Sequence, residues 1–200
     1  MNQLIVDVLQ RYADIIRRKL PPAFAMVEQS FKGPEVGIGR EQIPIAMFMA
    51  FVRQGLVQPV SRSVDPDIDC YIGGQALSIK TVSGSGGIRI KWTANADKAY
   101  QFIRDYRPIS DLLVVRLVWG GQGYMSYIPI EAQLDIFDQL GRERYLDYRA
   151  TTNTRGINLS ADAYRRLRAH DKSKSIDIRW DVTGTTESPY QRWVTYWLTR

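Results

Sequence analysis

The sequence predicts an α/β fold in which a mixed β-sheet is flanked by α-helices and followed by an α+β C-terminal elaboration. Its segments follow one another in the order helix, hairpin, strand, helix, strand, strand. Residues 111–119 form a near-continuous apolar run, which is typical of a strand covered on both faces. Residues 176–182 alternate apolar with charged side chains, which indicates a half-buried antiparallel strand.

The first third of the chain predicts three helical segments. Residues 4–19 carry apolar side chains at helical spacing, and we expect Pro21-Pro22 to stop this helix. Residues 23–31 form a second helical piece. A third helix is expected over residues 41–55, with Pro44 in its first turn.

The third helix is unusual because residues 43–52 contain no polar side chain. A helix that is apolar on every side must be buried on every side. We therefore expect it to pack on the sheet with one face and to contribute another face to a homodimer interface. An alternative is that Met47 or Met49 acts as a wedge between the base steps of DNA.

Further elements are predicted downstream. Residues 88–92 form a strand with Arg89 and Lys91 on one face. A helix follows and ends at Tyr106. Ser160 is expected to cap a basic helix in the last third of the chain.

The composition fits one domain with a full-sized core. The 200 residues are 44% hydrophobic and show no internal repeat, low-complexity tract or clear linker. The net charge of +6 favours a polyanionic partner such as nucleic acid. No apolar run reaches the length of about 18 residues that a membrane span needs. No secretory cleavage site follows the N-terminus, so we expect a cytoplasmic protein.

The rarity of cysteine and histidine excludes several kinds of site. Cys70 is the one cysteine of the sequence and His170 the one histidine. A disulfide framework within the chain, a cysteine-based zinc site and a histidine-rich metal site are therefore excluded. No G-x-S-x-G motif indicates a serine hydrolase. Any catalysis must depend on carboxylates, lysines or a hydroxyl group.

The most informative stretch is a predicted hairpin around Gly73-Gly74. A Gly-Gly pair between alternating runs indicates a two-residue turn. Counting outward from the turn, Asp69 faces Ser78 and Asp67 faces Lys80, and alternation places all four on one polar face. Two carboxylates and an ammonium on one face suggest a site for a metal ion and a phosphate. A plain Asp67–Lys80 ion pair, worth about 0.2–1 kcal/mol, is the alternative.

An aspartate on one strand and S-x-K on the next, after a helix that bears a glutamate, resembles the pattern of the PD-(D/E)XK nucleases. The length and the basic charge resemble those of a type II restriction endonuclease. The resemblance implies a restriction-endonuclease-like fold in one nuclease domain, with residues 1–130 as the catalytic core and residues 131–200 for DNA recognition. It also implies hydrolysis of double-stranded DNA at a short palindrome made of C and G only.

The same resemblance assigns roles to individual residues. Asp69 is similar to the metal-ligand aspartate of these nucleases, Asp67 is its competitor, and Lys80 is similar to their catalytic lysine. Ser78 lies where the nucleases usually have an acidic residue, which removes one metal ligand. Glu41, on the preceding helix, is expected to supply the missing carboxylate.

Mg²⁺ is the cofactor that the resemblance implies, because carboxylates and phosphate oxygens are the ligands that it prefers. Glu28 is the alternative to Glu41. Two other functions stay open. One is a DNA repair or junction-resolving nuclease of the same fold, and the other is a non-catalytic DNA-binding module, which the serine at position 78 suggests.

Double-stranded DNA is the expected partner, and a palindromic double-strand cut implies a homodimer. A protective DNA methyltransferase in the host is a further implied partner. Base contacts need Arg, Lys, Asn or Gln at groove edges. The residues that we expect at the DNA are Thr152, Asn153, Thr154, Arg155, Arg89, Lys91, Met47, Arg165 and Arg168.

Overall fold

The computed structural model describes residues 1–30, 34–60, 67–85, 87–148, 156–181 and 197–198, with the backbone alone at residues 30, 34 and 35. In chain order its elements are α1 (Gln3–Arg11), α2 (Ala13–Ser30), α3 (Pro34–Phe51), β1 (Val57–Pro59), β2 (Cys70–Ile72), β3 (Gln75–Ser83), β4 (Arg89–Trp92), α4 (Ala96–Asp105), β5 (Asp111–Leu117), β6 (Gly121–Ile128), α5 (Ile130–Leu140), α6 (Arg142–Tyr145), β7 (Leu146–Asp147), β8 (Gly156–Leu159), α7 (Ala161–Ala169) and β9 (Lys174–Trp180).

The predicted mixed sheet is confirmed. Among the described residues it has six strands in the order β1-β2-β3-β5-β6-β9. β3 and β5 pair in parallel, whereas the other neighbours in this sheet are antiparallel. β4 does not join this sheet. It pairs with β8, and β8 pairs with β7, in a second sheet that the sequence did not indicate.

Helices cover both faces of the larger sheet. The buried side chains of α1, α2 and α3 pack with Leu77 and Ile79 of β3 in a first core cluster. The buried side chains of α4, α5, α6 and α7 pack with Leu112 and Val114 of β5 in a second core cluster. Because β5 contributes to both clusters, the expectation that this apolar strand is covered on both faces is confirmed.

The N-terminal helices differ from the prediction. The expected single helix over residues 4–19 is broken at Tyr12, and α2 then continues through Pro21 and Pro22. A proline inside a helix costs about 3 kcal/mol or more. Leu20 and Phe24, on either side of the prolines, are 3% and 0% exposed. Their burial in the first core cluster offsets the local cost, so packing decides the helix boundary here.

The apolar third helix also begins and ends earlier than predicted, and Pro44 lies in its interior. Phe48 is fully buried, but Ile38 and Met49 are 41% and 53% exposed. One face of α3 therefore meets the core and another is open. Among the described residues, none of the helices could span a membrane.

Cys70 lies in β2 and is completely buried. Burial, and secondarily the charge of Asp69, raise the pKa of the Cys70 thiol to about 12. Because the thiolate is the reactive form, we expect no labelling of the native protein by a disulfide reagent at neutral pH. One thiol per chain should react once denaturant is added. Rapid labelling without denaturant would contradict this placement.

Gly123 in β6 is a position where no side chain fits. A Cβ atom there would lie 2.0 Å from the backbone oxygen of Arg116 and 2.4 Å from Nε1 of Trp180. We expect Gly123→Ala to lower the free energy of unfolding by about 1–3 kcal/mol, measured by urea denaturation. Gly37→Ala is the control, because a Cβ atom at Gly37 meets nothing within 4 Å. Equal unfolding free energies for the two variants would contradict the packing described for β6.

Candidate active site

The β2–β3 hairpin forms with the predicted register. Cys70 pairs with Leu77 and Ile72 with Gln75, around a turn at Gly73 and Gly74. Both glycines have positive φ, at 58° and 80°, as a two-residue type I′ turn requires. The turn therefore fixes which side chains of the two strands face each other.

Asp69 directly precedes β2 and is held firmly against β3. Its backbone N–H donates to the oxygen of Leu77 at 3.0 Å, and its Oδ2 accepts from the backbone N–H of Ile79 at 2.6 Å. The side chain is 7% exposed, as is that of Ser78. The carboxylate has a second oxygen, Oδ1, which can also act as an acceptor in addition to the oxygen bonded to Ile79.

A cavity of about 640 Å³ opens on this part of the sheet. Asp67, Ser78 and Lys80 line it together, so the structure brings three of the predicted site residues to one surface. Phe102 and Tyr106, from α4 and the segment after it, also line it. The sequence pattern did not predict that Phe102 and Tyr106 line this cavity. The apolar stripe of a helix does not indicate which strand the helix will pack against.

The carboxylate of Asp67 holds the ammonium of Lys91 through both oxygens, at 2.5 and 2.6 Å. The ring of Phe102 lies 5.7 Å from this ammonium. Burial, and secondarily the charge of Asp67, raise the pKa of Tyr106. Lys91 was predicted to contact DNA, and the structure places it in the cavity wall. Asp67 therefore lines the cavity but is already engaged with a cation, whereas Asp69 is not among the residues that line it.

Glu41 is half-buried in the first half of α3, and that helix packs mainly on the first core cluster. It does not line the cavity that Ser78 and Lys80 share. Glu28, the alternative, accepts from Arg40 at 2.5 Å and from Nε1 of Trp119 at 2.9 Å. Each oxygen of Glu28 therefore already accepts one hydrogen bond.

The oxygen donors fit Mg²⁺ in kind. This ion is commonly bound by one or two carboxylates and substrate phosphate, and it keeps several waters. Asp69 supplies one firmly oriented carboxylate, bonded to the strand that carries Ser78 and Lys80. In the part of the chain that the structure describes, no three acidic, histidine or cysteine side chains form a metal-binding group. Asp69 is the predicted ligand whose carboxylate would hold the ion.

The predicted DNA contacts are distributed over several places. Thr152, Asn153, Thr154 and Arg155 lie outside the described residues. The guanidinium of Arg89 lies 4.1 Å from the ring centre of Trp92, and burial lowers the pKa of Arg89.

Arg165 and Arg168 lie on α7 and line a second cavity. Met47 is partly buried against the first core cluster. The structure therefore does not gather the predicted contacts on one surface of the described chain.

Comparison with known proteins identifies the family. The sequence profile of the family described as restriction endonuclease ThaI matches residues 2–199. The chain belongs to the ThaI family of restriction endonucleases. A solved structure, a restriction endonuclease in complex with substrate DNA, is similar to this ThaI-family chain with a TM-score of 0.86 and 31% sequence identity. The alignment covers 98% of this chain and 99% of that one. A comparison with curated proteins gives no match.

Proposed function

We propose that this ThaI-family protein is a Mg²⁺-dependent type II restriction endonuclease of the PD-(D/E)XK kind. Its substrate would be double-stranded DNA, hydrolysed at a short palindrome made of C and G only. The observation that supports this most is the hairpin, where a buried, oriented aspartate is bonded to β3, the strand whose Ser78 and Lys80 line the cavity. The family and the DNA-bound structural relative support the substrate class.

The chemistry needs an activated water and stabilisation of the charge that develops on the phosphate. When bound, Mg²⁺ lowers the pKa of a water molecule and clamps the scissile phosphate. Asp69 would hold the ion, with Glu41 as the proposed second carboxylate. Lys80 orients the attacking water or stabilises the negative charge of the transition state. Ser78 positions a water molecule through its hydroxyl group.

DNA recognition would come from the loop that contains Thr152, Asn153, Thr154 and Arg155, with Asn153 and Arg155 at base edges. Arg89 and Met47 are proposed as further DNA contacts, and Arg165 and Arg168 as phosphate contacts. Lys91 would contact DNA from the cavity wall, where its ammonium forms an ion pair with Asp67.

A homodimer would supply the two active sites that a double-strand cut requires. The exposed side chains of Ile38 and Met49 on α3 support an interface on that helix. A restriction enzyme of this kind would act in the cytoplasm of its host, where a cognate DNA methyltransferase would protect the host genome.

Digestion of supercoiled plasmid DNA tests the activity. We expect discrete linear fragments with Mg²⁺ and no cutting when EDTA removes the metal ion. A four-way junction that is cut while ordinary duplex stays intact would instead favour a junction-resolving nuclease.

The serine at position 78 gives a specific reason to consider a non-catalytic DNA-binding module, because it replaces an expected acidic metal ligand. Binding of plasmid without any cutting, across varied DNA and with Mg²⁺ or Mn²⁺, would support that second candidate. Cutting by the wild-type protein that persists in EDTA would contradict the metal-dependent proposal.

A further inference from the structure

The second sheet carries an arginine whose position is set by two neighbouring residues. Arg89 and Trp92 lie at the two ends of β4, and Gly156 begins β8 as the cross-strand partner of Trp92. The guanidinium of Arg89 lies 4.1 Å from the centre of the Trp92 ring. We propose that Trp92 and Gly156 orient this guanidinium so that it donates two hydrogen bonds to the edge of a guanine base. Arg89 is then a specificity-determining residue, and its ligand, duplex DNA, rests on the proposed function.

A β-bulge brings Arg89 and Trp92 to the same face of the second sheet. The register of β4 with β8 shifts between Arg89 and Lys91, which leaves one extra residue on β4. Without this shift, residues three apart on a strand would point to opposite faces. With it, Arg89 and Trp92 pair with residues 158 and 156, and so they share a face. The expectation that Arg89 and Lys91 share a face is therefore wrong.

Gly156 leaves the space that the guanidinium of Arg89 fills. A Cβ atom at this glycine would lie 1.2 Å from Nη1 of Arg89 and 2.4 Å from its Cζ. The backbone of Gly156 does not have a positive φ, so space and not backbone conformation requires a glycine here. An alanine at this position would displace the guanidinium, because the end of a long side chain moves more easily than the backbone.

The guanidinium of Arg89 is oriented but keeps donors available for a ligand. Nη1 is buried and has no hydrogen-bond partner among the described residues, whereas the side chain as a whole is partly exposed. The Nε–Nη2 edge, with its two parallel N–H groups, is the part left for a ligand. Asp147 in β7 is the one acidic residue among the described strands of this sheet, and β8 separates it from Arg89.

The place of β4 beside the candidate active site favours a base as the ligand. Lys91 and Trp92 line the cavity that Ser78 and Lys80 also line. A duplex with its scissile phosphate at Lys80 would therefore pass the end of β4, where the Trp92 ring is 62% exposed. A fixed planar pair of donors discriminates between base edges, whereas attraction to a phosphate depends mainly on charge.

The experiment measures DNA binding in EDTA, where cleavage plays no part. The wild-type protein first selects duplexes from a random-sequence pool, and the enriched sequence is then made as a single duplex. A scrambled duplex of the same composition is the non-specific probe. A further series carries 7-deazaguanine at each guanine of the enriched duplex in turn, which removes the N7 acceptor of that base.

Arg89→Lys is the main variant, because it keeps the charge and removes the planar pair of donors. We expect it to weaken binding of the enriched duplex by about 10–100-fold and binding of the scrambled duplex by less than about twofold. Arg11→Lys is the matched control and should bind both duplexes as the wild type does. Arg11 is exposed at the end of α1, which packs on the first core cluster.

Gly156→Ala tests the orientation of the guanidinium without changing Arg89. It should weaken binding of the enriched duplex selectively, and its effect should not add to that of Arg89→Lys. Trp92→Leu removes the ring under the guanidinium and should change binding in the same direction. It is the second test of orientation where Gly156→Ala does not fold.

In the 7-deazaguanine series, at least one substitution should weaken binding by the wild type about fivefold or more but leave binding by Arg89→Lys unchanged. If Arg89→Lys changes nothing while Arg89→Gln lowers the slope of log K against log salt by about one, Arg89 contacts a phosphate and the proposal is overturned. Unchanged binding of both duplexes by both Arg89 variants, or no enriched guanine in the selection, would also overturn it. Failure of cleavage alone would count against the proposed function and not against this contact.

Discussion

Lys80→Ala is expected to lower the rate of DNA cleavage by about 10²–10³-fold or more while DNA binding stays within a few-fold of the wild type. The side chain lines the cavity beside Ser78, and its ammonium is the group proposed to act on the attacking water or on the developing charge. Removal of a preorganised charge that acts in the transition state lowers the rate without a similar loss of ground-state binding.

The measurement for Lys80 is single-turnover cleavage of a duplex by saturating, excess enzyme, paired with duplex binding in EDTA. Lys19→Ala, an exposed lysine of α2, is the control for the loss of one positive charge. Equal cleavage by the wild type and Lys80→Ala would remove Lys80 from the site. A parallel loss of binding and cleavage would make it a DNA contact.

Asp69→Asn is expected to have an effect of similar size, because it removes the charge that would hold the metal ion. A bound metal ion contributes several kcal/mol of charge stabilisation, which corresponds to a rate loss of about 10²–10³-fold. The amide oxygen can still accept from the N–H of Ile79, so the hairpin should fold. Calorimetry should show loss of Mn²⁺ binding to the protein–DNA complex.

Asp67→Asn is the matched comparison for that experiment. It breaks the ion pair with Lys91, and it should leave Mn²⁺ binding largely intact. If Asp67→Asn loses the metal ion and Asp69→Asn retains it, the metal ligand is Asp67 and the assignment made here is reversed. If both lose it, the ion is held by the two aspartates together.

The hairpin could be predicted from sequence because its signal is local. The Gly73-Gly74 turn fixes the register, and alternation then determines which side chains share a face. The same counting fails at the next hairpin, because a two-residue turn at Gly120-Gly121 would pair Arg116 with Met125, whereas Arg116 pairs with Tyr124.

The features that could not be predicted depend on tertiary packing. The passage of α2 through Pro21-Pro22 needs the burial of its flanking residues, which no local propensity indicates. The Asp67–Lys91 ion pair joins the hairpin to a strand of the second sheet, so it needs the relative placement of two sheets. The position of Glu41 relative to Asp69 depends on how α3 packs, for which the sequence pattern gives no distance.

Digestion of a sequenced genome, followed by sequencing of the fragment ends, tests the central claim most directly. The purified wild-type protein with Mg²⁺ should produce ends that fall at one short palindrome made of C and G. Lys80→Ala, treated in parallel, should leave the genome intact. Ends without a common sequence, ends at a site that contains A or T, or cutting by both proteins alike would contradict the account.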